Sequence, residues 1–199
     1  MIRLLFVGDG ERDAAMNPPL VQTIAGFPIL PSFRPWPRLH GTGRGYDRKL
    51  LFALGKARRE DLQGIVATVD RDKSPHSERL GSMKAARERD RATRPPLPTA
   101  LGCADPHAEA WLLDDPQAVR KTLKLPVTVA IRSVLKIKDP KRELGKLQAK
   151  SPRDEAPKAI MAEIAAALDP GRCKHGKRTG FESFVAEVRG EIAPLGTST

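Results

Sequence analysis

The chain has 199 residues, 40% of them hydrophobic, and a formal net charge of +11. That length and apolar content suffice to bury a real core, which excludes a disordered polymer. Cys103 and Cys173 are the only cysteines, which excludes a disulfide framework, and no run nears the roughly eighteen apolar residues of a membrane span.

Ile2 to Val7 is an apolar run that stops at Gly8-Asp9-Gly10-Glu11. A strand, a glycine turn and a helix opening with acids are expected, with Asp9 or Gly10 as cap and Glu11 and Asp13 favouring the helix N-terminus. Pro18-Pro19 is expected to interrupt that helix, leaving Leu20 to Ala25 as a shorter piece. From Phe27 to Gly45 the spaced prolines and glycines argue for a long ordered loop. It carries Arg34, Arg38 and Arg44 beside Phe33 and Trp36, with Tyr46, Arg48 and Lys49 just after. Interleaved basic and aromatic residues suit a surface that clasps a backbone and stacks bases; alternatively Trp36 and Phe33 anchor the loop to the core.

Asp47 to Glu60 has the apolar spacing of an amphipathic helix. Ile65 to Val69 is short and apolar with four β-branched members, the mark of a buried strand, and ends in Asp70-Arg71-Asp72. Ser77 to Ala92 reads as a polar outer helix, and Thr99 to Cys103 as a third strand. Asp105 is a plausible N-cap there, with Pro106 at the first helical position. Asp115-Pro116 opens a helix to Leu123, and 127–137 is ambiguous between strand and helix. Helices are expected at 140–150, 156–168 and 179–192, with a frayed tail from Pro194. The expected architecture is α/β with a mainly parallel central sheet flanked by helices, comprising a core at 1–125 and a mostly helical extension at 126–199 packed on it.

Three acidic clusters therefore follow three strands: Asp9 and Glu11, Asp70 and Asp72, and Asp105 and Glu109. Parallel strands bring all three to one edge, where open α/β sheets bind ligands. An acidic pocket on so basic a chain is costly unless a cation holds it, and all-oxygen ligation suits Mg²⁺ or Mn²⁺. Asp70, Asp72 and Glu11 are the candidate metal ligands, and Asp9, Glu11 and Glu109 the candidate acid/base groups. The cationic excess points to a phosphate polymer, DNA before RNA, held by Arg34, Arg38, Arg44, Arg48, Arg172, Lys174, Lys177 and Arg178. A reduced, cytoplasmic location without a membrane partner is expected, since the start has too short an apolar run for a signal peptide.

The order GDGE, a strand ending in DxD, then PHAEAWLLDD resembles a TOPRIM domain. More narrowly it resembles a stand-alone TOPRIM-like family with a first-strand EG-x-T-E, a DxD and a later P-x-x-E-a-W-L-L-x-D. Gly8 and Glu11 match the first motif, Asp70 and Asp72 the second, and Pro106, Glu109, Trp111, Leu112 and Asp115 the third; the closing FESF also resembles that family's end. The family's glutamate before the first glycine is Val7 here, so either Asp9 or Glu11 takes its role or the site is degenerate. The resemblance implies Mg²⁺-dependent nucleic-acid processing, a nuclease above all, and for stand-alone relatives an ATPase partner in defence against foreign DNA. It also leaves room for a non-catalytic subunit that binds nucleic acid or the ATPase.

Two other patterns compete. VDRDKS resembles the nucleophile motif of haloacid-dehalogenase-type phosphatases, with Asp70 as nucleophile and Asp72 as acid, although that family places it on the first strand. Cys173 and His175 alone fall short of a four-ligand zinc site. His40, His76 and His107 have no evident partners in the sequence.

Overall fold

A computed structural model describes residues 1–39, 45–72 and 76–197, without the side chains of His76 and Ser77. The expectations for Arg44 and His40 lie outside the described residues, as does that for the His76 side chain.

Strand β1, Ile2–Gly8, alternates strictly: Leu4 and Phe6 enter one core, Leu5 and Val7 the other. Strands β3, Gly64–Asp70, and β4, Thr99–Ala104, are buried along their whole lengths. Such runs belong to a parallel sheet covered on both faces. The sheet is parallel throughout, in the order β2-β1-β3-β4.

Strand β2, Ile29–Pro35, corrects the expectation of a loop. It pairs only with β1, so it is an edge, and there a proline can turn its hydrogen-less nitrogen away from the ladder. Pro31 and Pro35 are four residues apart and therefore lie on one side of the strand.

Three helices make the crossovers: α1, Glu11–Ala25, α2, Tyr46–Arg59, and α3, His76–Arg91. Met16, Leu20 and Val21 of α1 pack with Leu4 and Phe6. Leu50 and Leu54 of α2 and Met83 of α3 pack with Leu5, Val7 and Ile65 on the opposite face. Right-handed crossovers demand this, because β1 to β2 runs one way across the sheet and β2 to β3 to β4 runs the other. The strand order thus reverses at β1 and β3, and the segments leaving those strands part to opposite faces. A crevice opens at their carboxyl ends.

Helix α1 runs unbroken through Pro18 and Pro19, against expectation. The two prolines remove the bonds to the carbonyls of Ala14 and Ala15, but Leu20, Val21 and Ile24 continue the buried face beyond them.

The C-terminal half comprises α4, Glu109–Leu113, α5, Pro116–Leu123, α6, Pro140–Gln148, α7, Pro157–Ala167, α8, Gly176–Thr179, and α9, Phe181–Glu187. A π-type turn, Val188–Ile192, and a 3-10 turn, Ala193–Thr197, follow. The expected closing helix over 179–192 is instead broken at Gly180, whose φ of 79° is left-handed. Residues 127–137 form neither strand nor helix beyond the 3-10 turn Val134–Lys136; the Pro126 and Val129 carbonyls accept from Arg120. Asp105 does not cap α4, which starts at Glu109 after a cis Asp105-Pro106 bond; it pairs with Arg71 at 3.0 Å.

Helix α7 packs along α1, and α9 lies against β4. Gly102 of β4 lets α9 approach, since a Cβ there would meet the Phe184 ring at 2.7 Å. Trp111 stacks on Phe184 with centroids 4.8 Å apart and donates its indole N–H to Thr179 O at 2.7 Å. Side chains close the outer edge of β4. Glu191 accepts the Thr99 N–H at 3.1 Å, Glu187 the Leu101 N–H at 3.4 Å, and Arg87 donates to Thr99 O at 2.8 Å. Among the described residues no helix is long and apolar enough to cross a membrane.

Candidate functional site

The crevice between the ends of β1 and β3 collects carboxylates. Asp70, at the last position of β3, is buried; its Oδ1 accepts the Ala108 N–H at 3.0 Å and its Oδ2 meets Lys141 Nζ at 3.0 Å. Asp9, in the turn after β1, accepts the Asp70 N–H at 3.1 Å. Asp13, one turn into α1, accepts the Asp9 N–H at 2.5 Å. Gly8 makes this closeness possible, because a Cβ there would stand 2.6 Å from the Asp13 Cβ.

Burial raises the Asp9 pKa, opposed by the Asp70 amide and reinforced by the charges of Asp70 and Asp72. For Asp13, burial and the negative field of Asp70 push the carboxyl up from 3.8 to about 7. Two acids held this far from ordinary behaviour in one crevice mark a functional-site candidate.

Asp72 adopts a left-handed φ of 48°, a conformation Asp tolerates better than most residues, and turns its carboxylate back over the site. It lies 3.1 Å from Arg79 Nη1 and 3.4 Å from His107 Nε2. The Arg79 guanidinium also bonds Asp70 O and rests over the Tyr46 ring, 5.5 Å from its centroid. Asp70, Asp72 and His107 each offer one ligand atom within 4.8 Å of the others. His107 Nδ1 is buried and lacks a hydrogen-bond partner among the described residues.

Glu109 stands at the rim. It is buried, pairs with Arg12 at 2.9 Å, and adds its field to that of Asp70 around Lys141. Burial alone would lower the Lys141 pKa, but the bond to Asp70 and the charges of Asp70 and Glu109 outweigh it and raise it.

Of the acids expected here, the structure brings together Asp9, Asp70 and Asp72, with Glu109 close by. Glu11 is not among them: its side chain is 80% exposed and pairs with Lys158 of α7. It lies two residues before Asp13, so on a helix the two point to different sides. Asp13, Lys141, Arg79 and His107 are the members the sequence did not single out. Asp13 looks like an ordinary helix-start acid, and the other three arrive from elements folded back onto the crevice.

The expected cationic surface divides. The backbones of Arg34 near the end of β2, Arg38 in the 3-10 turn Trp36–Arg38 and Arg48 in the first turn of α2 lie toward the carboxyl edge, but the half-buried Arg34 guanidinium donates to Phe33 O at 2.8 Å and adds its field to Glu60. Lys174, Lys177 and Arg178 are exposed around α8. Arg172 is committed to Asp115, with both carboxylate oxygens 2.8–3.0 Å from its nitrogens. Base stacking on Trp36 is excluded, because its ring is buried, donates to Thr68 O at 2.8 Å and packs edge-on against Tyr46.

The donor set suits a hard divalent cation. Five carboxylates, of Asp9, Asp13, Asp70, Asp72 and Glu109, face three cationic side chains, Arg12, Arg79 and Lys141. The excess of negative charge and an Asp13 that holds its proton to about 7 are both relieved by added positive charge.

Comparison of the chain with protein-family models, curated proteins and solved structures found no match. The site stands on its own geometry.

Proposed function

We propose that the protein is a Mg²⁺- or Mn²⁺-dependent phosphodiesterase acting on nucleic acid, DNA before RNA, from a TOPRIM-like crevice. The observation that carries this reading is the convergence of Asp9, Asp13, Asp70 and Asp72 where the strand order reverses. Asp70, Asp72 and His107 would hold the cation. A bound divalent cation supplies a more acidic water and neutralises charge on a phosphoryl oxygen.

The chain's own groups do the rest. Asp13, buried beside Asp9 and Asp70, takes the proton of the attacking water. Lys141 and Arg79, now on the carboxylates, bind the phosphate oxygens when substrate enters. The exposed arginines on the same edge hold flanking phosphates without reading sequence.

The test is cleavage of supercoiled DNA, single-stranded DNA and RNA with Mg²⁺ or Mn²⁺, beside Asp70→Asn. Metal-dependent cutting lost in the variant is the expected result. No cutting, with no metal bound in a direct titration, would sink the proposal.

A second reading has one observation in its favour: Lys141 and Arg79 already occupy the Asp70 and Asp72 oxygens. On that reading the network is structural, and the protein binds nucleic acid, or an ATPase partner in defence against foreign DNA, without cutting. Salt-sensitive DNA binding that persists in Asp70→Asn with Asp72→Asn, and no cleavage by the natural chain, would select it.

A further inference from the structure

Away from the carboxylates, past the C-terminal end of α4, a cavity of about 460 Å³ opens between the start of α5, the coil at 131–134 and the loop at 171–175. One wall is apolar, built by Leu113, Pro116, Ile131 and Val134. The others carry Arg132, Ser133, Lys174 and His175.

Two carboxylates also border this space, against three cationic side chains, Arg132, Arg172 and Lys174. Asp115 is fully buried and accepts the amides of Gln117, Ala118 and Asp169 besides Arg172. Asp114 is buried and accepts the His175 N–H at 2.8 Å. The cations are placed differently. Arg132 is 66% exposed with Glu143 no nearer than 3.9 Å, and Lys174 is exposed. The Ser133 hydroxyl shares a hydrogen bond of 3.3 Å with His175 Nε2, a pair in which one member accepts and the other keeps a donor for the same space. With Asp115 held by Arg172, the remaining lining charges are Arg132 and Lys174 against Asp114, a cationic excess that attracts an anion. Its volume exceeds what inorganic phosphate needs and falls in the range of small-ligand sites, about 300–1,000 Å³.

We infer that this cavity binds a phosphomonoester carried on a nucleotide-sized group. Arg132, Lys174 and the Ser133–His175 pair take the phosphate, and the apolar wall takes the sugar or base. A free mononucleotide and the phosphorylated end of a strand present the same chemistry. None of this depends on the carboxylate crevice, whose acids do not line the cavity.

The test is calorimetric titration of the full chain in EDTA at about 0.1 M salt, near the physiological range. The probes are adenosine 5′-monophosphate and a short oligonucleotide with either a 5′-phosphate or a 5′-hydroxyl. Phosphorylated probes should bind about tenfold tighter than the hydroxyl form. Arg132→Ala with Lys174→Ala should lose about tenfold or more on the phosphorylated probes, as expected for charge-assisted bonds. Arg59→Ala, on exposed α2, controls for loss of one positive charge and should bind as the natural chain does. A tighter 5′-phosphorylated oligonucleotide identifies a strand end as the ligand, and equal binding of the mononucleotide identifies a free nucleotide. The inference is overturned by equal affinity for phosphate and hydroxyl forms, by no binding, or by a folded double variant that binds unchanged. Asp70→Asn should retain binding, so failure of the phosphodiesterase reading leaves this result legible.

Discussion

Replacing Asp13 by Asn removes the acid most displaced by the fold while keeping an oxygen for the Asp9 amide. The ordinary Asp value is 3.8, and the crevice pushes it up to about 7. The folded state therefore binds more protons than the unfolded chain between these values, and stability must fall as pH rises through that window. At pH 8 both states are ionised, and the folded state carries a penalty of about 4 kcal/mol. At pH 5 the folded carboxyl is already protonated, and the penalty is about 1.5 kcal/mol. The Asn variant is neutral throughout and escapes both. The natural chain should therefore lose about 2.5 kcal/mol relative to the variant between pH 5 and pH 8. Urea unfolding followed by far-ultraviolet circular dichroism, in EDTA at each pH, measures the difference directly. Asp9 and Asp114, also raised by burial, titrate in both proteins and largely cancel. A stability difference that stays flat from pH 5 to pH 8 would refute the reasoning, because it would mean Asp13 ionises normally.

Three further outcomes follow from the same structure. Lys141→Gln removes the cation on Asp70, so Mn²⁺ should bind about three- to tenfold tighter in a direct titration, since a competing charge-assisted bond is gone. Asp115→Ala strips the cap from α5, leaves the Asp169 amide unpaired and takes from Arg172 its buried partner, with Asp169 and the Ala167 carbonyl remaining to it, which should cost about 2–4 kcal/mol in urea unfolding. Gly102→Ala drives a methyl into the stacked Phe184 and Trp111 rings and should cost about 1–3 kcal/mol, read as a lower thermal midpoint with the far-ultraviolet spectrum retained.

The three central strands were legible because Ile2 to Val7, Ile65 to Val69 and Thr99 to Cys103 are short apolar runs that a parallel sheet buries on both faces. Their shared direction put Asp9 and Asp70 at one edge before any coordinates. β2 was not legible: its prolines argue against a strand unless the strand is known to be an edge, and edge position is a property of the whole sheet. The roles of Glu11 and Asp13 were exchanged for a related reason. Both look like helix-start acids, and only the angle at which α1 leaves β1 decides which of them enters the crevice. Lys141 meets Asp70 across 71 positions of sequence, and no local pattern marks such a meeting. Trp36 was ambiguous between anchor and base platform until its indole found the Thr68 carbonyl.

Both margins of the sheet are sealed, by different means. On β2, Pro31 and Pro35 withhold alternate donors from the outer side, and on β4 the carboxylates of Glu187 and Glu191 sit where a neighbouring strand's carbonyls would pair. Four is therefore a terminal number of strands. Among the described residues, a fifth strand from another copy, an extended peptide or a growing fibril would meet few free donors on either margin.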